Sequence, residues 1–325
     1  MNQSENIDDS VVSWVNRLSP YVPGFQPKGK GWVKLNTNEN PYPPSANVLK
    51  AINSNLDKIH LYPEPKSSIL RKTISKTYGF KESNVLIGNG SDNILDLIAR
   101  SFVGLGNAGH TIPSYSLYPV VVGMSGGDIM DIPFDRSMKL PVDEIIKMDA
   151  PVFYLTNPNA PTGVCFDLES IELVLRNISG LLVIDEAYID FGGVSAVNLM
   201  SKYKNIIIVR SFSKSYSLAG LRVGFALASS SIIAVLDKVR DAYNVSGISQ
   251  AAATAAFLDK DTFTENCQKI IKTRNLSEIE LSKMKWKTYP SKGNYLFTEP
   301  IDNKGNSGKK VAKEFYEFLK SNKIL

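Results

Sequence analysis

Four short apolar runs, "NVLIG" (84–88), "PVFYLT" (151–156), "LLVID" (181–185) and "NIIIV" (205–209), each stop abruptly at a polar or glycine-rich loop. Longer amphipathic stretches separate them. A strand that is apolar at successive rather than alternate positions buries both faces, as a parallel strand does when helices cover it above and below. The runs therefore predict an α/β fold, a large mainly parallel sheet with helices on both faces. A chain of 325 residues, 43% of them hydrophobic, is long enough for such a domain and a smaller one beside it.

After Ser91 the segment "DNILDLIARSFV" repeats apolar residues at helical spacing (Ile94, Leu97, Ile98, Phe102), with Ser91 expected as its N-cap. From about residue 250 the pattern turns to alanine-rich and then Lys/Glu-rich helices, with one short strand expected at "NYLFTE" (294–299). We expect an arm with part of the small domain over 1–45, a large domain over 46–245, and a small α+β domain over 246–325. The arm is rich in asparagine and proline and too irregular for a core element.

Composition excludes several classes of function. Cys165 and Cys267 lack the spacing of a metal site or disulfide framework, which suits a reducing interior. The polar N-terminus has no apolar core of a signal peptide, and no stretch approaches the length of a membrane span, so the expected location is the cytoplasm, with no membrane partner. The formal charge is +5, but basic residues are scattered in nothing longer than a pair such as "GKK", so nucleic acid is not an expected partner. His60 and His110 are read as structural.

Chemistry gathers where the apolar runs end. In an open α/β sheet those ends form the crevice that binds ligands. "NIIIVRSFSK" ends in hydroxyls and Lys214, "LLVIDEAY" in Asp185 and Tyr188, "PVFYLTNPNAPTG" in asparagines and a turn, and "NVLIGNGSD" in a glycine loop and a helix start. A lysine of lowered pKa attacks carbonyls and forms Schiff bases. A carboxylate at a buried strand end can keep a pyridine nitrogen protonated. Hydroxyls, Arg222 and helix N-terminal amides can hold a phosphate. These three capabilities together fit pyridoxal 5'-phosphate.

The motifs "NPNAPTG", "VIDEAYIDF" and "SFSKSYSLAGLRVGF" resemble the signature blocks of fold-type I pyridoxal-phosphate aminotransferases. "LNTNENPY", "LYPEP", "IGNGSDNILDLIARSF", "PSYSLYP" and "DAYNVSGISQ" are most similar to those of histidinol-phosphate aminotransferases, in order and spacing, from about Tyr21 onward. The resemblance implies that Lys214 bonds the cofactor and moves the proton. It implies that Asp185 pairs with the ring nitrogen, that Tyr188 donates to the ring hydroxyl and that Tyr115 stacks on the ring. Ser91, Asp92, Ser211, Ser213 and Arg222 would surround the cofactor phosphate, and Tyr62 would reach it from a neighbouring subunit of a homodimer. Tyr21 would meet the substrate's phosphate, and Asn38 would also contact substrate. The implied reaction is exchange of an amino group between histidinol phosphate (or imidazole-acetol phosphate) and the glutamate/2-oxoglutarate couple, in histidine biosynthesis.

Two departures from the family pattern bear on this. The asparagine that directly precedes "PTG" in many relatives is Ala160 here, leaving Asn157 or Asn159 to reach the ring hydroxyl. We favour Asn157, which directly follows its strand. The family's closing strand bears an arginine for the substrate's polar end, with another slightly earlier, whereas no arginine follows Arg274. On that ground the small domain reads as incomplete, and substrate grip is expected to be weakened relative to cofactor binding. An aromatic-acid aminotransferase or a phosphoamino-acid decarboxylase shares the cofactor blocks, and a non-catalytic remnant that binds cofactor or a partner is the reading from another class.

Overall fold

The computed structural model describes residues 10–19 and 25–325; Tyr21 lies outside them. Seven strands form the main sheet: β1 (Val85–Gly88), β2 (Asn107–Ile112), β3 (Asp128–Pro133), β4 (Val152–Thr156), β5 (Leu181–Asp185), β6 (Ile206–Ser211) and β7 (Gly224–Ala228). Their spatial order is β1-β7-β6-β5-β4-β2-β3, parallel except at β7, which runs antiparallel to both neighbours. The four apolar runs became β1, β4, β5 and β6. Chain order reverses between β2 and β4, and the crevice outside the carboxyl ends there is where an open α/β sheet takes its ligand.

Alternation along the strands shows both faces at work. Phe153 and Leu155 of β4, Leu182 and Ile184 of β5, and Ile206 and Ile208 of β6 enter one core, while Val152, Tyr154, Val183, Ile207 and Val209 enter the other. The first core is covered by α1 (Ala46–Asn53), α2 (Ser68–Tyr78) and, among others, α5 (Val142–Met148) and α6 (Leu168–Asn177). The second is covered by α3 (Gly90–Ile98), α4 (Leu117–Met124) and α7 (Ser230–Val239). Each side chain fully buried this way contributes about 1.5–3 kcal/mol relative to exposure.

The remaining elements are α8 (Gly247–Leu258), α9 (Lys260–Lys283), a two-stranded ladder of β8 (Lys287–Thr288) and β9 (Thr298–Glu299), and α10 (Lys309–Ser321). The expected strand at 294–299 is reduced to its last two residues. The alanines of α8 let it lie close against α1 and α2, and its Ala252, Ala253, Ala256 and Phe257 join the first core. A boundary at 245/246 would split that core, so we propose the division between the two parts after Leu258. Cys165 and Cys267 are free thiols. His110 is buried on β2, its Nε2 2.7 Å from Asp131.

Ser91 does not cap α3. The N-cap position is Asn89, and Gly90 begins the helix at φ +80°, a left-handed value that glycine alone adopts without strain. Ser91 is thereby carried into the first turn, its amide free of an intrahelical partner.

Candidate active site

Lys214 stands three residues beyond β6, in a loop pinned at both sides. Phe212 and Tyr216 are buried in the first core, and the Phe212 amide donates to Val223 at 3.0 Å. Anchoring the neighbours in the core is what forces the ammonium inward. Its Nζ donates to the carbonyl of Thr37 at 2.8 Å and lies 5.5 Å from the centre of the Tyr188 ring. Burial lowers its pKa, against the opposing pull of Glu39 and Asp92.

Asp185 ends β5 and is buried. Its Oδ1 accepts the Ala187 amide at 3.0 Å and its Oδ2 accepts the Tyr118 hydroxyl at 3.3 Å. Burial, with Asp92 nearby, raises its pKa to about 6. Tyr188, three residues on, keeps its phenol protonated, with burial pushing its pKa to about 12 while Asn38 Nδ2 donates to the hydroxyl at 3.3 Å.

The two candidate asparagines part company. The Asn157 amide donates to the Asp185 carbonyl at 2.9 Å and its Oδ1 accepts from Phe166 at 2.8 Å, while its Nδ2 is buried without a hydrogen-bond partner. Asn159, also expected to bind cofactor, is tied to the loop after β2 and to its own loop. Its Nδ2 donates to Pro113 at 3.2 Å, and its Oδ1 accepts the Thr162 hydroxyl at 2.7 Å. Of the two, it is Asn157 whose buried side-chain nitrogen has no hydrogen-bond partner.

At the far side of the crevice is a corner suited to an anion. Arg222 donates through Nη2 to Asp92 at 2.8 Å and through Nη1 to Ser213 at 3.4 Å, and the Ser211 hydroxyl accepts the Ser213 amide at 3.1 Å. Two glycines make the close approach possible. A Cβ on Gly90 would meet Arg222 Nη2 at 2.6 Å, and one on Gly224 would meet the Ser91 nitrogen at 2.5 Å. Tyr115 lies over this corner, its hydroxyl 3.1 Å from Asp92 and its ring edge-on to Tyr118 at 5.7 Å. Tyr62 stands apart, 84% exposed and stacked on Tyr243 at 4.7 Å.

Several participants were not singled out from the sequence. The arm contributes Thr37 and also Asn40, whose Nδ2 donates to the Lys214 carbonyl at 3.0 Å. Tyr295 packs edge-on to Tyr188 at 4.9 Å, and its hydroxyl donates to the Asn159 carbonyl at 2.8 Å. Behind the site Arg210 of β6 is buried between Glu186 (3.0 Å) and Asp190, and Asp190 accepts the Ser215 hydroxyl at 2.6 Å. An arginine inside "NIIIVRS" was a legible sign of such a pair, because a charge in a buried strand needs a partner.

The donors fit pyridoxal phosphate on this geometry. Asn157 has an unused buried donor, Asp185 is a buried carboxylate, and glycine-cleared space brings Arg222 beside the first amides of α3. Fold and site together define a cofactor-dependent enzyme of the aspartate-aminotransferase-like, fold-type I architecture, built to react at an amine.

The chain belongs to the class I and II aminotransferases, whose family model matches residues 30–325. It is 42% identical to the histidinol-phosphate aminotransferase of Geotalea uraniireducens over 294 residues, 90% of this chain and 84% of that one. It is 38% identical to the enzyme of the same name from Geobacter sulfurreducens, covering 95% of this chain and 87% of the relative. Among solved structures it is similar to the histidinol-phosphate aminotransferase of Sinorhizobium meliloti in complex with pyridoxal-5'-phosphate, with a TM-score of 0.82, 25% identity, and coverage of 90% and 81% of the two chains.

Proposed function

We propose that this aminotransferase takes the amino group of histidinol phosphate and passes it to 2-oxoglutarate, in histidine biosynthesis. The observation that carries the reaction type is the convergence of Lys214, the buried Asp185 and the Arg222 corner on one crevice. The substrate follows from relatives of that name at 38–42% identity over most of both chains.

Pyridoxal phosphate, when bound, supplies an aldehyde for the amino group and a ring that draws electrons from the substrate carbon. The chain's residues do the rest. Lys214 is poised as a base, because burial makes its neutral form accessible, and it moves the proton at the substrate carbon. Asp185 holds the proton on the ring nitrogen. Tyr188 and Asn157 offer donors to the ring hydroxyl. Arg222, Ser211, Ser213 and the amides of Ser91 and Asp92 bind the phosphate tail. Tyr115 packs on the ring, and Asn38 reaches the substrate from the arm.

The protein works in the cytoplasm as a homodimer with shared sites. No described helix is long and apolar enough to cross a membrane. Supporting the dimer, a cavity of about 680 Å³ opens beside Tyr62, Leu61, Ile59 and Ile69, all exposed. Buried against a second copy, this face would bring Tyr62 to the partner's phosphate corner.

Incubating purified protein with pyridoxal phosphate, histidinol phosphate and 2-oxoglutarate should produce glutamate. Glutamate formed with an aromatic amino acid but not with histidinol phosphate would overturn the substrate assignment.

A further inference from the structure

We infer that Tyr118, Thr156 and Ser114 form a chain of three hydroxyls that positions Asp185 and holds it ionised toward the cofactor's ring nitrogen. The inference rests on the proposed role of Asp185. It concerns residues for which the sequence blocks implied no role.

The chain starts at the rim and ends at the carboxylate. Ser114 Oγ lies 3.2 Å from Thr156 Oγ1, Thr156 Oγ1 lies 2.5 Å from the Tyr118 hydroxyl, and that hydroxyl lies 3.3 Å from Asp185 Oδ2. Thr156 and Tyr118 are buried, whereas Ser114 is half-buried. Each hydroxyl has one proton and two lone pairs. When Asp185 is ionised it can only accept, so Tyr118 donates to it, Thr156 donates to Tyr118, and Ser114 donates to Thr156. Every proton then points inward, each bond reinforcing the next. When Asp185 is protonated, the Tyr118–Asp185 bond weakens, because a neutral carboxyl is a poorer acceptor than a carboxylate.

The architecture makes the chain rigid. Ser114 follows β2, Thr156 ends β4, and Tyr118 opens α4, so the three span the point where strand order reverses. The Tyr118 ring is stacked on Tyr154 at 5.0 Å and edge-on to both Tyr115 and His110. Its hydroxyl therefore has one place to go. The carboxylate needs this help. Asp92 from α3 and the adjacent Glu186 both disfavour its charge, Lys214 favours it, and Tyr115, Tyr188 and Tyr295 also face it. None of these hydrogen-bonds the carboxylate; among the described residues its partners are Tyr118 and the Ala187 amide.

The test is the pH dependence of cofactor affinity for the full chain, followed by fluorescence, with kcat measured in parallel. Affinity falls as pH drops through the point where Asp185 gains a proton. In Tyr118→Phe, which keeps the ring and its packing, that acid limb should move up by about one pH unit, the size expected for losing a hydrogen bond to a charged group. Thr156→Val should shift it in the same direction, by less, and does not depend on Tyr118→Phe folding. In an Asp185→Asn background neither substitution should move anything. A limb unmoved in both variants, while Asp185→Asn alone weakens cofactor binding, overturns the hydroxyl chain. An Asp185→Asn protein indistinguishable from wild type overturns instead the role of Asp185 on which the inference rests.

Discussion

Lys214 and Thr37 are joined by a hydrogen bond of 2.8 Å, from the side-chain nitrogen of the one to the backbone oxygen of the other. The irregular arm is thereby part of the candidate site. Asn40 fastens it by donating to the Lys214 carbonyl at 3.0 Å.

Asn40→Ala should loosen that fastening. The net worth of one hydrogen bond, about 0.5–1.5 kcal/mol, predicts up to a tenfold loss in kcat/KM and faster proteolysis within residues 25–42. Unchanged turnover and unchanged cleavage would show that the arm is held by other contacts.

Burying the Asp185 carboxylate costs stability. Its pKa of about 6 in the folded chain lies above its unfolded value, so the folded state binds that proton more tightly. The resulting stability is fully present below about pH 4 and is lost as pH rises through about 6. In the cofactor-free chain Asp185→Asn removes the penalty, and should raise stability at pH 7 by at most about 3 kcal/mol with little change at pH 4. With cofactor, the same variant should lose a hundred- to a thousandfold in kcat, about 2.7–4 kcal/mol, because a neutral partner no longer holds the ring proton. Urea unfolding at the two pH values and steady-state kinetics read the two effects separately.

Gly90→Ala strikes the anion corner. The φ of +80° disfavours alanine, and its Cβ would meet Arg222 at 2.6 Å. Cofactor affinity should fall at least tenfold as the guanidinium is displaced, with a loss of about 1–2 kcal/mol in stability. Equilibrium dialysis with pyridoxal phosphate checks the first figure, and wild-type affinity would show that Arg222 is not a phosphate ligand.

The two arginines of this region should behave oppositely. Arg210→Leu leaves the buried Glu186 and the partly buried Asp190 without their cation and should cost about 3–5 kcal/mol of folding stability. Arg222→Leu removes a half-exposed side chain and should leave stability nearly unchanged while cofactor binding drops. Thermal unfolding of the two cofactor-free variants separates them.

The central strands were legible because burial on both faces leaves continuous apolar runs, as in "PVFYLT" and "LLVID". β3 was not, since at the sheet edge it carries exposed Asp128 and Asp131 and reads as neither a buried run nor a clean alternation. β7 sits inside a motif already read for Arg222, and its antiparallel direction has no local sign. The candidate site residues Asp185 and Lys214 were legible because they stand at or just past strand ends. Arm contacts such as Asn40 to Lys214 span 174 residues, and no local pattern announces them. The preference for Asn157 over Asn159 rests on nearness to its strand, a local sign, whereas the unpartnered Nδ2 that supports proposing it depends on tertiary contacts the sequence does not display.

Reduction with borohydride, followed by mass mapping of peptides, most directly tests the claim that Lys214 is the cofactor-bearing lysine of this crevice. The cofactor mass should be fixed on Lys214, and Lys214→Ala should show neither fixation in the crevice nor transamination. Cofactor fixed on a different lysine, or a Lys214→Ala protein that still transaminates at the wild-type rate, would contradict the account.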